Sequence, residues 1–376
     1  MSTLAKIRNE MKVEREFEGF AFPFTAGVMA SIAIGSSSCM ITPTYHMLAL
    51  GTTVLSAILL LFSSRNRWNA PSQWTLIGIC ALACGILTGL TGLELKISET
   101  ASNGFLASKA RLAGQAMGDL IDSISFKESS TGAIVKALLT GNRENIPPEI
   151  AQTFRDSGAS HILALSGLHL GLIYMVISKI LSLMGNSIRM RRIRSLLAIA
   201  ICGFYTLMTG AGASITRALI FIILREAAIM TGRHASLKSI LAASLFLHLA
   251  FSPTSITDIG FQLSYAAMFG IAYIFPHLRN FWKNDWPGLK FIWESAALSI
   301  SCQITTGPLA YYYFGTFPQH FLLTNLLMIP LAGLLIPAAL LTLALSAIGC
   351  CPSICVQSVE WMTQMMQEAL GIIASM

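Results

Sequence analysis

The chain has 376 residues, 54% hydrophobic and only 11% charged, with a net charge of +7 and a mean hydropathy of +0.65. A soluble domain carries about 25% charged residues, so less than half of that leaves too little polar surface to solvate a fold of this size. The composition excludes an ordinary soluble globular protein and makes the bilayer the solvent, in which helices satisfy their own backbone groups.

Residues 1–19 mix Lys6, Arg8, Lys12 and Arg15 with Glu10, Glu14, Glu16 and Glu18, and no small-residue cleavage site follows promptly. They read as a cytoplasmic start and not as a signal peptide. Three apolar segments follow at 20–38, 43–63 and 72–93, each near the length a spanning helix needs. The stretch 94–160 then carries charges, Asn, Ser and the pair Pro147–Pro148, which puts it outside the hydrocarbon. Within it, 107–124 and 132–140 repeat apolar residues at three- and four-residue steps and predict amphipathic helices, the second stopped by Gly141 and Asn142.

Apolar segments resume at 161–184, 195–210, 214–231, 238–252, 256–276 and 292–314. Residues 318–350 exceed one span and contain Pro330 and Pro337, which leaves two short helices, a broken helix, or one span plus a re-entrant piece. The tail from Ser353 to Met376 is amphipathic, with Glu360 and Glu368, and its topology stays open. The expected fold is all-α: a polytopic helical membrane protein of roughly ten transmembrane helices with an outer amphipathic helical segment. Its expected divisions are a three-helix membrane unit at 1–93, an extracytoplasmic linker at 94–160 and a membrane bundle at 161–376.

Charge sets the orientation. With the N-terminus inside, the cytoplasmic loops take Lys6 to Arg15, Arg65 and Arg67, Arg189 to Arg194, Arg233 and Lys238, then Arg279, Lys283 and Lys290. These hold fifteen of the 25 basic residues, and the opposite short loops at 39–42, 211–213, 253–255 and 315–319 hold none. This alternation is the positive-inside pattern and accounts for most of the net charge without a polyanion. The eight cysteines lie mostly in apolar runs (Cys80, Cys84, Cys202, Cys302), with Cys350, Cys351 and Cys355 at one helix boundary. No Cys-x-x-Cys spacing repeats, so packing and not metal binding is the reading.

Ionisable groups within spans are costly and usually face protein or water. Lys179 and the Arg225–Glu226 pair lie towards cytoplasmic helix ends, where snorkelling accounts for them. Three other contexts are more polar. In His161-Ile-Leu-Ala-Leu-Ser166-Gly167-Leu-His169, Ser166 and His169 share a helix face. In Thr209-Gly-Ala-Gly212-Ala-Ser-Ile-Thr-Arg217, Gly210 and Gly212 interrupt the helix, Ser214 can cap the next one, and Arg217 sits one turn in. In Asp258-Ile-Gly-Phe-Gln262-Leu-Ser-Tyr265, the three named side chains fall on one face. Packing and interhelical hydrogen bonding, including an Arg217–Asp258 ion pair, would explain these residues as well as a polar pathway would.

These segments, HILALSGLHLGLI, TGAGASITRALIF and DIGFQLSYAAMFGIA, resemble in this order the competence region of the ComEC family. So do the lead-in ALLTGNRENIPPEIAQTFRDSGAS and the later run ITTGPLAYYYFGTFPQHFLLTNLLMIPLAGLLIP. The resemblance covers about 107–350 and implies an inner-membrane channel for single-stranded DNA in natural transformation. It makes 161–376 a competence-type channel bundle. Ser166, Gly167, His169, Gly212, Arg217, Asp258, Gln262 and Asn325 match the family pattern and, with Tyr265, are the candidate lining of a DNA path. Such a path needs cations for phosphate and flat faces for bases; Arg217 would supply the first, and Tyr265 with Tyr311 to Tyr313 the second.

Relatives usually add an outer OB-fold domain and a metallo-β-lactamase-like domain. Only Leu93 to Leu106 stand where the former would be, and the seven histidines form no His-x-His-x-Asp-His cluster. The expectation is therefore a chain with no enzymatic activity, metal or cofactor of its own, and no P-loop for ATP. Its partners would be single-stranded DNA, the lipid bilayer, and separate DNA receptor, nuclease and ATPase proteins, with room for an oligomer. Two other functions fit the same residues. One is a transporter or channel for another anionic or polar solute, since a broken helix start beside an arginine suits any small anion. The other is an intramembrane hydrolase using Ser166, His169 and Asp258, against which stand the three-residue spacing and the lack of an identifiable oxyanion hole.

Overall fold

The computed structural model describes residues 19–32, 52, 70–95, 105–185, 187–232, 236–282, 286–315 and 320–376. Among the described residues the chain is helical throughout, with no strand. It folds into two compact units, Met1–Ser102 with Thr231–Met268, and Asn103–Met230 with Phe269–Met376. Apart from Thr52, the predicted span at 43–63 lies outside the described residues.

In the first unit, α1 (Gly19–Ile32) packs on α2 (Ala70–Leu95) through small residues spaced by four. A Cβ on Gly27 would lie 2.1 Å from the Leu82 carbonyl oxygen, one on Gly85 2.0 Å from the Phe24 carbonyl oxygen, and one on Gly89 1.8 Å from Ser31 Oγ. Without a hydrophobic drive between helices in lipid, such backbone-to-backbone approach provides the dispersion contact that holds the pair. Phe20 and Phe24 then meet Phe246 edge to face at 5.4 and 4.8 Å, which ties α1 to α10 (Leu237–Phe251). Replacing Gly85 with Leu should destabilise this unit by about 3 kcal/mol or more, since a backbone carbonyl cannot yield as a side chain does. Thermal unfolding of the purified protein in detergent would register the loss.

The second unit is built on α3 (Phe105–Ser123), α4 (Ser129–Thr140), α5 (Pro148–Asp156) and α6 (Ser160–Leu163). These are followed by α7 (Gly167–Leu181), α8 (Ile188–Met208) and α9 (Ala213–Thr231), the last residue of which belongs to the first unit. After α11 (Ile259–Phe269), a π-helical segment Gly270–Ile274 leads into α12 (Phe275–Phe281), α13 (Pro287–Phe314), α14 (Phe321–Ala347) and α15 (Ser353–Ala374). The π segment lets Gly270 press on α13: a Cβ there would sit 2.3 Å from the Ser301 carbonyl oxygen. Bulges of this kind re-aim a helix where a straight one would collide.

The two amphipathic predictions hold as helices. The second goes further than a two-faced pattern requires, because Ile134, Val135, Ala137, Leu138 and Leu139 are all buried. Its lysine, Lys136, pairs with Asp122 at 2.5 Å. Gly141 ends α4 in a left-handed cap with φ +80°, its N–H donating to the Ala137 carbonyl, as its position in the sequence predicts. The open question at 318–350 resolves into one continuous helix, α14, with Pro330 and Pro337 inside it. The tail becomes α15, which lies along α14 and buries Val359, Glu360, Thr363, Met366 and Leu370. Glu360 accepts the Lys127 N–H at 2.6 Å and Gln364 donates to Glu128 at 3.1 Å, so the tail clamps the start of α4.

Among the described residues, Gly167–Met184, Ile259–Phe281 and Phe321–Ala347 are both long and apolar enough to cross a bilayer; Gly19–Ile32, Ile77–Gly89 and Leu237–Phe251 are apolar but shorter. Helices α8, α9, α13 and α15, of 21, 19, 28 and 22 residues, have the length for a crossing at 1.5 Å per residue. Together these elements make the described residues those of an all-α membrane protein.

Candidate functional site

The polar context at 161–169 is the break between two helices. The segment predicted as one span from residue 161 starts six residues later: α6 ends at Leu163, Ala164 turns extended with ψ 128°, and Ser166 (φ −119°, ψ 171°) caps α7. A break of this kind frees backbone N–H groups that the apolar interior cannot solvate. His169 answers one of them. Its Nδ1 accepts the Ser166 backbone N–H at 3.2 Å and lies 3.0 Å from Ser166 Oγ. The arrangement is a capping box with histidine in the place usually taken by Glu or Gln.

This geometry fixes the tautomer. A backbone N–H only donates, so Nδ1 is the acceptor and the proton of the neutral ring is on Nε2. His169 is fully buried, and its Nε2 has no hydrogen-bond partner among the described residues. What Ser166 and His169 build is therefore a cap that leaves a buried donor over.

Sequence reasoning named Asn325 but passed over two neighbours of this knot, His161 and Thr324. His161 Nδ1 lies 3.1 Å from the Gly158 carbonyl, and Asn325 lies beside the same ring. Thr324 Oγ1 donates to the Ser157 carbonyl at 2.7 Å, which fixes the start of α14 against the turn after α5. Asn325 Oδ1 is buried with no partner among the described residues. The only sequence signal for His161 was its place in the same run as His169; nothing local marks its approach to Asn325.

Gly167 joins this knot to α9: a Cβ there would touch the Ala218 side chain at 3.4 Å, next to Arg217. Helix α9 follows a turn in which Gly210 has φ +84° and Ala211 φ +50°. Gly212 is exposed, and its carbonyl accepts the Thr216 N–H at 3.0 Å. Ser214 lies inside the first turn and does not cap it; the Thr216 hydroxyl reaches back to Ala211 and Gly212 at 3.0 and 3.1 Å. Arg217 is 3% exposed, as an intramembrane cation on a protein-facing side must be. Glu226, read from sequence as snorkelling, is instead 4% exposed and accepts the Tyr174 hydroxyl, with Arg225 over the Tyr174 ring at 5.7 Å. Lys179 is exposed, in keeping with that reading.

Asp258, Gln262 and Tyr265 belong to the first unit. The exposed Asp258 starts α11, its Oδ1 accepting the Gly260 N–H at 3.1 Å and its carbonyl the Gln262 N–H at 3.0 Å. Gln262 Nε2 donates to the Ile256 carbonyl at 2.9 Å. Tyr265 is buried, its hydroxyl 2.8 Å from Ser244 Oγ and its ring against Phe261 and His248 at 4.5 and 6.1 Å. Tyr311, Tyr312 and Tyr313 end α13, all exposed.

A family model described as Competence protein matches residues 138–376, the stretch that holds all of these residues. The chain belongs to the ComEC competence protein family. Across 215 residues it is 28% identical to ComE operon protein 3 of Bacillus subtilis (strain 168), a match covering 55% of this chain and 26% of that protein. It is also 38% identical over 56 residues to an uncharacterized protein of Aquifex aeolicus (strain VF5), covering 15% of this chain and 14% of that one. The chain thus aligns with about a quarter or less of either relative. No solved structure matches it. The competence match begins at Leu138, inside α4, so the family region takes in the turn that carries Gly141 and Arg143 as well as the knot around His169.

Proposed function

We propose that this competence-family protein is a channel component of the bacterial inner membrane, its N-terminus cytoplasmic, that conducts single-stranded DNA into the cell during natural transformation. The observation that carries the reading is the family match over 138–376. The costly polar groups of that stretch, Arg217 and His169, are buried to 3% and 0% exposure in spanning helices. A buried cation at Arg217 and an unpaired ring N–H at His169 Nε2 are groups that a passage for phosphates and bases can use. The reading gives the chain no covalent chemistry and no cofactor; strand degradation, DNA capture and ATP-driven pulling fall to separate proteins. Deleting the gene should abolish transformation, and supplying this chain in trans should restore it. Unchanged transformation in the deletion strain, with loss of uptake of another anionic solute, would move the assignment to a different cargo on the same scaffold.

A further inference from the structure

The turn from α7 to α8 carries charge that the fold does not use. Leu183 is 85% and Ile188 70% exposed, and between them Gly185 adopts φ +95°, ψ 172°, a backbone region open in practice to glycine alone. Ser187 caps α8 by accepting the Met190 N–H at 3.2 Å. Arg194 reaches back to the Gly185 carbonyl at 3.0 Å and closes the turn. Arg189, Arg191 and Arg192 are exposed on the first turn of α8, and at 100° per residue they form a collar around it. Their guanidinium groups make no ion pair or hydrogen bond among the described residues. No acidic residue lies near them in sequence either, since none occurs between Asp156 and Glu226.

Helix α8 runs on from this collar with two different faces. Ser195, Ala198, Cys202 and Tyr205 are buried. Ile193, Leu196, Ile201, Phe204 and Leu207 are exposed at helical spacing, a continuous apolar stripe of about 21 Å at 1.5 Å per residue. An uncompensated guanidinium collar at one end of an apolar stripe matches the two parts of a phospholipid. Nucleic acid phosphates would engage the collar alone, whereas a phospholipid engages the collar and the adjoining apolar stripe together.

We propose that the α7–α8 turn is a binding site for an anionic phospholipid, its phosphate held by Arg189, Arg191 and Arg192 and its acyl chains laid along the outer face of α8. This rests on the membrane-spanning reading of α7 and α8 and not on DNA conduction. The site also anchors the cytoplasmic end of the helix pair that carries His169 and Tyr205.

The test uses the full chain in nanodiscs of phosphatidylcholine, with and without phosphatidylglycerol. Native mass spectrometry counts the phosphatidylglycerol retained by the wild type and by the triple variant R189Q/R191Q/R192Q. Apparent affinity should fall about fivefold for each arginine removed, and the melting-temperature gain given by phosphatidylglycerol should vanish in the variant. The lysine triple variant, which keeps the charge, should retain most of both. Equal retention and equal melting behaviour for wild type and glutamine variant would overturn the proposal. So would protection of the wild type by a short single-stranded oligonucleotide with no response to phosphatidylglycerol. Normal transformation by a variant that has lost lipid binding would leave the DNA reading standing and the lipid site separate from it.

Discussion

Replacing Arg217 with Gln is expected to lower DNA uptake by about 100-fold, the effect of removing one buried charged partner from a bound polyanion, about 3 kcal/mol. The protein should still insert and reach its normal level. Arg217 lies in the second turn of α9, after the break at Gly210 to Gly212, and is 3% exposed. Gln fits the same space and keeps donors for local hydrogen bonds, so the change isolates the charge. A structural role would show as reduced folded protein with uptake per molecule unchanged. The informative measurement is therefore uptake of labelled DNA normalised to protein in the membrane, and Arg217→Lys, which keeps the charge as a point, should recover part of it.

The second large effect concerns His169. His169→Ala removes the side chain that accepts the Ser166 N–H and leaves a buried donor unpaired, which costs about 2 kcal/mol of stability. His169→Gln is the sharper experiment. Ser-x-x-Gln is a standard capping box, so stability measured by thermal unfolding should return to near the wild-type value. Uptake should stay low, because the ring N–H at Nε2 would be gone. Full recovery of uptake with Gln would mean that His169 serves only as a cap.

What the sequence made legible follows from which interactions are local. The amphipathic segment at 107–124 became Phe105–Ser123, and the glycine stop at 141 was placed correctly, because helical period and a left-handed cap are written in neighbouring residues. The three-residue spacing of Ser166 and His169 marked their contact but not its form, since Ser166 stands before α7 as its cap and not on a shared helix face. The start of the span after residue 161 was not legible. The break at Ala164 to Ser166 has no proline, and its backbone groups are satisfied by a side chain that reads as part of the helix. The prolines at 330 and 337 misled in the opposite direction, since α14 keeps both inside one helix, as membrane helices do when neighbours satisfy the freed carbonyls. The approach of His161 to Asn325 and of Glu360 to Lys127 depends on how distant helices pack, which periodicity does not encode. Glu226 was misread because its partner, Tyr174, lies on a different helix.

The central claim is that this chain carries single-stranded DNA across the inner membrane, and the most direct measurement is passage itself. Fluorescent single-stranded DNA would be followed into the cytoplasm of cells that lack the chromosomal gene and express either this chain or its Arg217→Gln variant, with the rest of the competence machinery intact. The account predicts cytoplasmic signal with the wild-type chain and almost none with the variant or the empty strain. Equal cytoplasmic signal in all three would contradict it.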